Sequence, residues 1–257
     1  MNGEMYQISC ITAAAKHALQ NKTDILYIPE KYINKIKFRF LFLKRILKMK
    51  SPVFYNLSDW YAHNVKNGLK DIKLVMPIFV GHREILGFSN TTKASIACFY
   101  ENYAVKYFTA YWKFDSAKQV WNVYYTENTW SKAPIEKLYF SNNKDSFLKV
   151  LTEIKALAVQ LECNFFADVF DSAQNILLGS KEYTDTKYNF SLPIIPEENL
   201  HLFEAASMAD VFGAMGSWND SPRYIAHEKG LDTEYEELSD KLLENIRHAI
   251  LYAINEW

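Results

Sequence analysis

The sequence predicts an α+β fold: an antiparallel sheet of about four to five strands in the first half, with a helical C-terminal half packed on it. Two observations carry that expectation. Between residues 72 and 127, four apolar and aromatic runs follow one another across short turn-like breaks, as antiparallel hairpins require. After Pro134 the apolar spacing changes to steps of three and four, the period of a helix face.

Taken in order, residues 8–21 ("ISCITAAAKHALQN") have helical composition, and "TDILYIP" after them reads as a short strand or extended entry. Pro29-Glu30 resembles a helix start, with proline in the first turn and an acid beside it. Ile33, Ile36, Phe40, Leu43 and Leu47 then share one helical face, and Pro52 follows the basic far end. A strand competes for the same residues, because Ile36, Phe38, Phe40 and Phe42 alternate with Lys35, Lys37 and Arg39. The helix is favoured. Residues 58–68 read as a short helix capped by Ser58 or Asp59 and stopped by Gly68.

The strand runs are 72–80, 94–100, 104–114 and 119–127. In the third, Phe108 and Trp112 lie on one face and Tyr107 and Tyr111 on the other, so both faces are expected to be covered. Two helical stripes follow, over 141–161 and 166–177, with a bend expected near Cys163-Asn164, then a polar loop over 180–191. Another helix opens at Pro196 and ends near Gly213. Thr233 and Glu236 form a capping box for a last helix carrying Leu238, Leu242, Ile246 and Ile250. The chain is read as one α+β unit over 1–257, with a subdivision at 1–140 and 141–257 as the alternative.

Composition narrows the function classes. With 49% hydrophobic and 23% charged residues the chain is globular, and a 16% aromatic share supplies large buried surfaces. Cys10, Cys98 and Cys163 show no metal spacing and read as buried free thiols of a reducing compartment. No signal-peptide pattern and no apolar run near the ~20 residues of a membrane span is present, so a cytoplasmic location is expected. The formal charge of −1 hides an asymmetry: Lys31–Lys50 holds eight Lys or Arg and no acid, whereas Glu182–Trp257 holds fifteen acids against five Lys or Arg.

No phosphate loop, dinucleotide fingerprint, nucleophile elbow or HExxH motif occurs. The basic segment, with Lys44, Arg45 and Lys48, could contact phosphates, an anionic membrane or an acidic protein surface. Near-neutral overall charge argues against a dedicated nucleic-acid binder and favours protein docking. His201 and His227 flank "ADVFGAMGSWND" (209–220), with Asp210, Asp220 and Glu228 near in sequence. Imidazoles and carboxylates could there build an acid–base or metal site, although caps and surface groups explain them as well. Asp168 and Asp171 read as a solvated helix edge, and nothing local would lower the pKa of Cys163. Within the 209–220 stretch, Gly213 and Gly216 permit sharp turns, and Ser217, Asn219 and Asp220 can bond back to the backbone. Trp218 with Met215 is either a plug between helices or an exposed anchor for a partner.

The run "AASMADVFGAMGSWND", followed by "YEELSDKLLENIRHAILYAIN", resembles the C-terminal signature of bacterial proteins similar to immunity proteins of polymorphic toxins. The resemblance begins at Ala205, does not extend into 1–140, and brings no catalytic residues with it. It implies a bacterial cytosolic binding protein with a protein toxin as partner; from the missing motifs, no cofactor or metal is expected. The expected partner-binding residues are Trp218, Met215, Asn219, Asp220, Lys44, Arg45 and Lys48. The alternatives are a hydrolase or transferase with a site in Asp210–Glu228, and a self-assembling structural protein built on the aromatic sheet.

Overall fold

The computed structural model describes residues 1–41, 52–129, 138–180 and 192–257. Helix α1 (Gly3–Asn21) opens on Asn2, whose side chain accepts the Met5 N–H at 2.9 Å. It is buried on nearly every side, because strands β3 (Leu69–Val75) and β4 (Ser95–Tyr100) and the C-terminal helix all pack on it.

The sheet is six-stranded and mixed. With β1 (Ile33–Arg39), β2 (Val53–Phe54), β5 (Val105–Asp115) and β6 (Val120–Thr129), its order is β2-β1-β6-β5-β4-β3. The four strands read from the sequence are antiparallel neighbours, but β1 joins β6 in parallel, so the expected purely antiparallel sheet of four to five strands is corrected.

The helix favoured from Pro29 onward is also corrected, since residues 33–39 are strand β1. The alternating pattern prevailed because both halves of it find a use. Ile36, Phe38 and Phe40 are buried, and the Phe38 ring stacks on Trp60 of helix α2 (Leu57–Lys66) at 4.4 Å and on Tyr125 at 4.8 Å. Lys35, Lys37 and Arg39 take the opposite face, opposite Asn122, Tyr124 and Thr126. That face is open where β5 crosses it, with Tyr111 57% exposed while Phe108 and Trp112 are buried behind it. The expectation that both faces of β5 are covered therefore fails. Lys44, Arg45 and Lys48 lie outside the described residues.

Helices α3 (Lys144–Gln160) and α4 (Asn164–Leu177) are separated by the expected break, where Glu162 turns left-handed (φ 59°) and the Cys163 N–H returns to the Ala158 carbonyl at 2.8 Å. Helix α5 (Glu197–Ala209) and the long α7 (Asp232–Asn255) complete the packing, with α7 lying against α3, α5 and β3. The last turn of α7 also closes the open edge of the sheet. Asn255 accepts the Leu74 N–H at 2.7 Å and donates to the Leu74 carbonyl at 2.8 Å, replacing a neighbouring strand.

A short helix, α6 (Ser221–Glu228), lies between the helix opened at Pro196 and the last one, where no helix is read from the sequence; only Pro222 and Ala226 of it are buried, too little for a periodic signal. The capping box at Thr233 is corrected as well. Gly230 (φ 69°) ends α6, the Leu231 N–H returns to the Ala226 carbonyl at 2.8 Å, and α7 begins directly at Asp232 with no side-chain cap.

Candidate functional site

Helix α5 ends at Ala209, and the chain must then turn sharply to enter α6 at Ser221. Trp218 anchors that turn. It is 0% exposed, enclosed by Phe166 (5.2 Å), Phe170 (5.4 Å) and a stacked Tyr235 (5.4 Å). Its indole N–H donates to Ser239 Oγ at 2.8 Å, and the Tyr235 hydroxyl donates to the Trp218 carbonyl at 2.5 Å. Both polar ends are thus satisfied in the core. Trp218 is a plug between helices, and its assignment to a partner surface is corrected.

Asn219 and Asp220 staple the same turn: Asn219 Nδ2 donates to the Gly213 carbonyl at 3.3 Å, and Asp220 Oδ2 accepts the Gly216 N–H at 2.7 Å. Met215 at the tip is 94% exposed, the most open side chain of the group, and Asp220 is exposed beside it.

A second loop joins the first. The 3-10 turn Arg83–Gly87 lies against Gly213 and Ala214 so closely that a Cβ on Gly87 would meet the Gly213 carbonyl carbon at 2.8 Å. Ion pairs lock the contact. The buried Arg83 guanidinium pairs with Glu236 and Asp240 of α7, while Arg223 of α6 pairs with Glu84 at 2.8 Å and Glu236 at 3.0 Å. Asn90 (φ 65°) fastens the far side of this loop to β5, accepting the Trp112 N–H at 2.7 Å and donating to its carbonyl at 3.0 Å. The two loops form one ridge held by these bonds, with Met215 and Phe88 (62% exposed) bare on it and Tyr224 of α6 exposed next to the ion-paired Arg223.

A cavity lies on each side. One, of about 620 Å³, runs between residues 78–84 and α7. Its carboxylates Glu84, Glu236, Glu237, Asp240 and Glu244 outnumber Arg83, Arg223 and Lys241, so the cleft is net acidic. The other, of about 430 Å³, is walled by Tyr32, Phe88, Trp112 and Trp121, with Glu4 among its polar groups. Burial pushes the Glu4 carboxyl above the usual range, only partly offset by the Asn90 N–H it accepts at 2.7 Å.

The residues considered for catalysis are placed apart. His201 of α5 packs beside Gly179, and His227 of α6 pairs with Asp232 at 3.0 Å on the surface. Asp171 pairs with Lys155 at 2.5 Å, and burial raises the Cys163 thiol away from its reactive thiolate form. Among the described residues no group of three or more His, Cys, Asp or Glu could hold a metal ion, and no helix is long and apolar enough to cross a membrane. The sequence reading missed Phe88, Glu4 and the Trp112–Trp121 wall, because they come from four separate segments with no common motif. Comparison with protein-family models, curated proteins and solved structures finds no match.

Proposed function

We propose that this chain is a binding protein of the immunity type, which captures a protein toxin through the ridge bearing Met215, Phe88 and Tyr224. The observation that carries the reading is Met215, bare at the tip of a turn whose neighbour Trp218 is fully buried and hydrogen-bonded. A methionine adapts to an irregular partner surface, and a rigid base spares the ordering cost of docking. The acidic cleft beside the ridge complements a basic partner, which speeds encounter. The C-terminal resemblance to immunity-like proteins agrees with such a role in the bacterial cytoplasm.

The test has two parts. Tagged chain is used to retain its partner from the source bacterium, and the retained protein is then expressed alone and together with this chain. The reading expects growth arrest alone and rescue on co-expression, with rescue lost in Met215→Asp/Phe88→Asp. Rescue that persists in the double variant would remove the ridge; a retained protein that is harmless when expressed alone would remove the immunity role.

A further inference from the structure

We propose that the cavity beside the ridge binds a trimethylammonium group, held by the rings of Trp112, Trp121, Tyr32 and Phe88 and by the carboxylate of Glu4. The walls come together from distant parts of the chain. Trp112 and Trp121 face each other across β5 and β6, their rings 5.8 Å apart and inclined at 67°, so they form a corner rather than a stack. Tyr32 is tied to this corner by its carbonyl, which accepts the Trp121 N–H at 2.8 Å. Phe88 stands at the opening on the ridge. Aromatic faces carry negative charge density, and several of them around one site attract a cation whose own surface is apolar.

Glu4 supplies the second, independent observation. It is a half-buried carboxylate in an aromatic cavity, and among the described residues it has no basic partner. Its one recorded bond is the Asn90 N–H, and the Met1 amino group is engaged by the Ser207 carbonyl at 2.7 Å. A carboxylate partly withdrawn from water without an ion-pair partner is disfavoured, and a bound cation would offset that. The choice of cation follows from the donors required. A primary ammonium carries three N–H groups that need acceptors; the cavity offers one carboxylate, Glu4, with Ser89 and Asn2 beside it, and the Asn2 side-chain oxygen already accepts the Met5 N–H. A trimethylammonium has no N–H to satisfy, and its methyl groups can pack on the rings.

Such a group occurs on free small molecules and on methylated lysine side chains, and the test separates the two sources. Binding is measured by calorimetry and by tryptophan fluorescence with choline, with a short trimethyl-lysine peptide, and with 3,3-dimethylbutanol, the neutral isostere of choline. The proposal expects choline or the peptide to bind at least about tenfold more tightly than the isostere. Tighter choline binding assigns a free ligand, and tighter peptide binding a protein-borne one. Phe88→Ala, which alters an exposed ring, and Glu4→Gln, which keeps an acceptor for Asn90, should each weaken binding several-fold with unchanged melting behaviour at pH 4. Trp121→Ala should abolish it. Equal binding of choline and isostere, no binding of either cation, or full binding by both Phe88→Ala and Glu4→Gln would overturn the proposal. Because choline and peptide are added to the isolated chain, the result is independent of whether a toxin is captured.

Discussion

Two groups of aromatic residues in this molecule are put to opposite uses. Around Trp218, four rings close on one another, the indole N–H reaches Ser239, and no part of the ring meets solvent. Around Trp112 and Trp121, the rings line an open cavity; the Trp112 indole nitrogen is buried with no hydrogen-bond partner among the described residues. The first arrangement is what a core requires, since burial of a polar atom is stabilising only when that atom is bonded. The second leaves both polar and apolar capacity unspent. The contrast separates a cluster closed on itself from one whose outer rings, Trp121 and Phe88, stay open beside a buried Trp112, although composition alone counts them together.

The largest expected effect lies in the closed cluster. Trp218→Ala should destabilise the chain by about 3–5 kcal/mol in urea unfolding, whereas Met215→Ala, three residues away, should stay within about 0.5 kcal/mol. Similar losses for the two variants would erase the distinction between plug and tip. Next comes the joint that holds the ridge. Arg83→Met removes charged hydrogen bonds to Glu236 and Asp240 and should cost about 2 kcal/mol, part of which should vanish when Glu236→Gln is already present. Full additivity in that double-mutant cycle would mean that the ion pairs contribute separately and the ridge has no shared lock.

At the rim of the open cluster, at Phe88 and Glu4, substitutions should hardly change stability. Phe88→Ala should melt within about a degree of the parent, because its ring is mostly in solvent. Glu4 gives the smallest effect and a defined pH dependence. Its folded pKa is raised by burial, so the folded state favours the protonated form. The corresponding stability is fully present below the unfolded value of about 4.3 and is lost as pH rises through the folded value. Glu4→Gln never ionises and escapes that loss. The variant should therefore match the parent well below the unfolded value and exceed it slightly at neutral pH. A variant less stable than the parent at neutral pH would show that Glu4 is held by a compensating charge.

The sequence made some of this legible and concealed the rest for identifiable reasons. The four hairpin strands and the break at Cys163 were readable, because alternation and helix-ending geometry are local. The segment at 33–39 was ambiguous: its residues fit both periods, and only the stacking of Phe38 between Trp60 and Tyr125 decides for a strand. The parallel pairing of β1 with β6 joins residues far apart in the chain, which no local pattern encodes. For the candidate site, the turn chemistry of Gly216, Asn219 and Asp220 was legible, since Gly216 (φ 79°) and both polar side chains shape the turn, whereas Gly213 does not take the left-handed conformation expected of a helix cap; Met215 is exposed. The direction of Trp218 was not readable, because it depends on Phe166, Phe170 and Tyr235 arriving from α4 and α7.

A partner that docks on the proposed ridge should lose affinity when the ridge side chains alone are changed. The most direct measurement is the affinity of the retained partner for the parent chain and for Met215→Asp/Phe88→Asp, with Tyr103→Asp on the β4–β5 turn as a control for exposed aromatic loss. The expected result is a loss of at least about thirtyfold for the ridge variant, the scale of a hot-spot residue, and parental affinity for the control. Parental affinity in the ridge variant would contradict it.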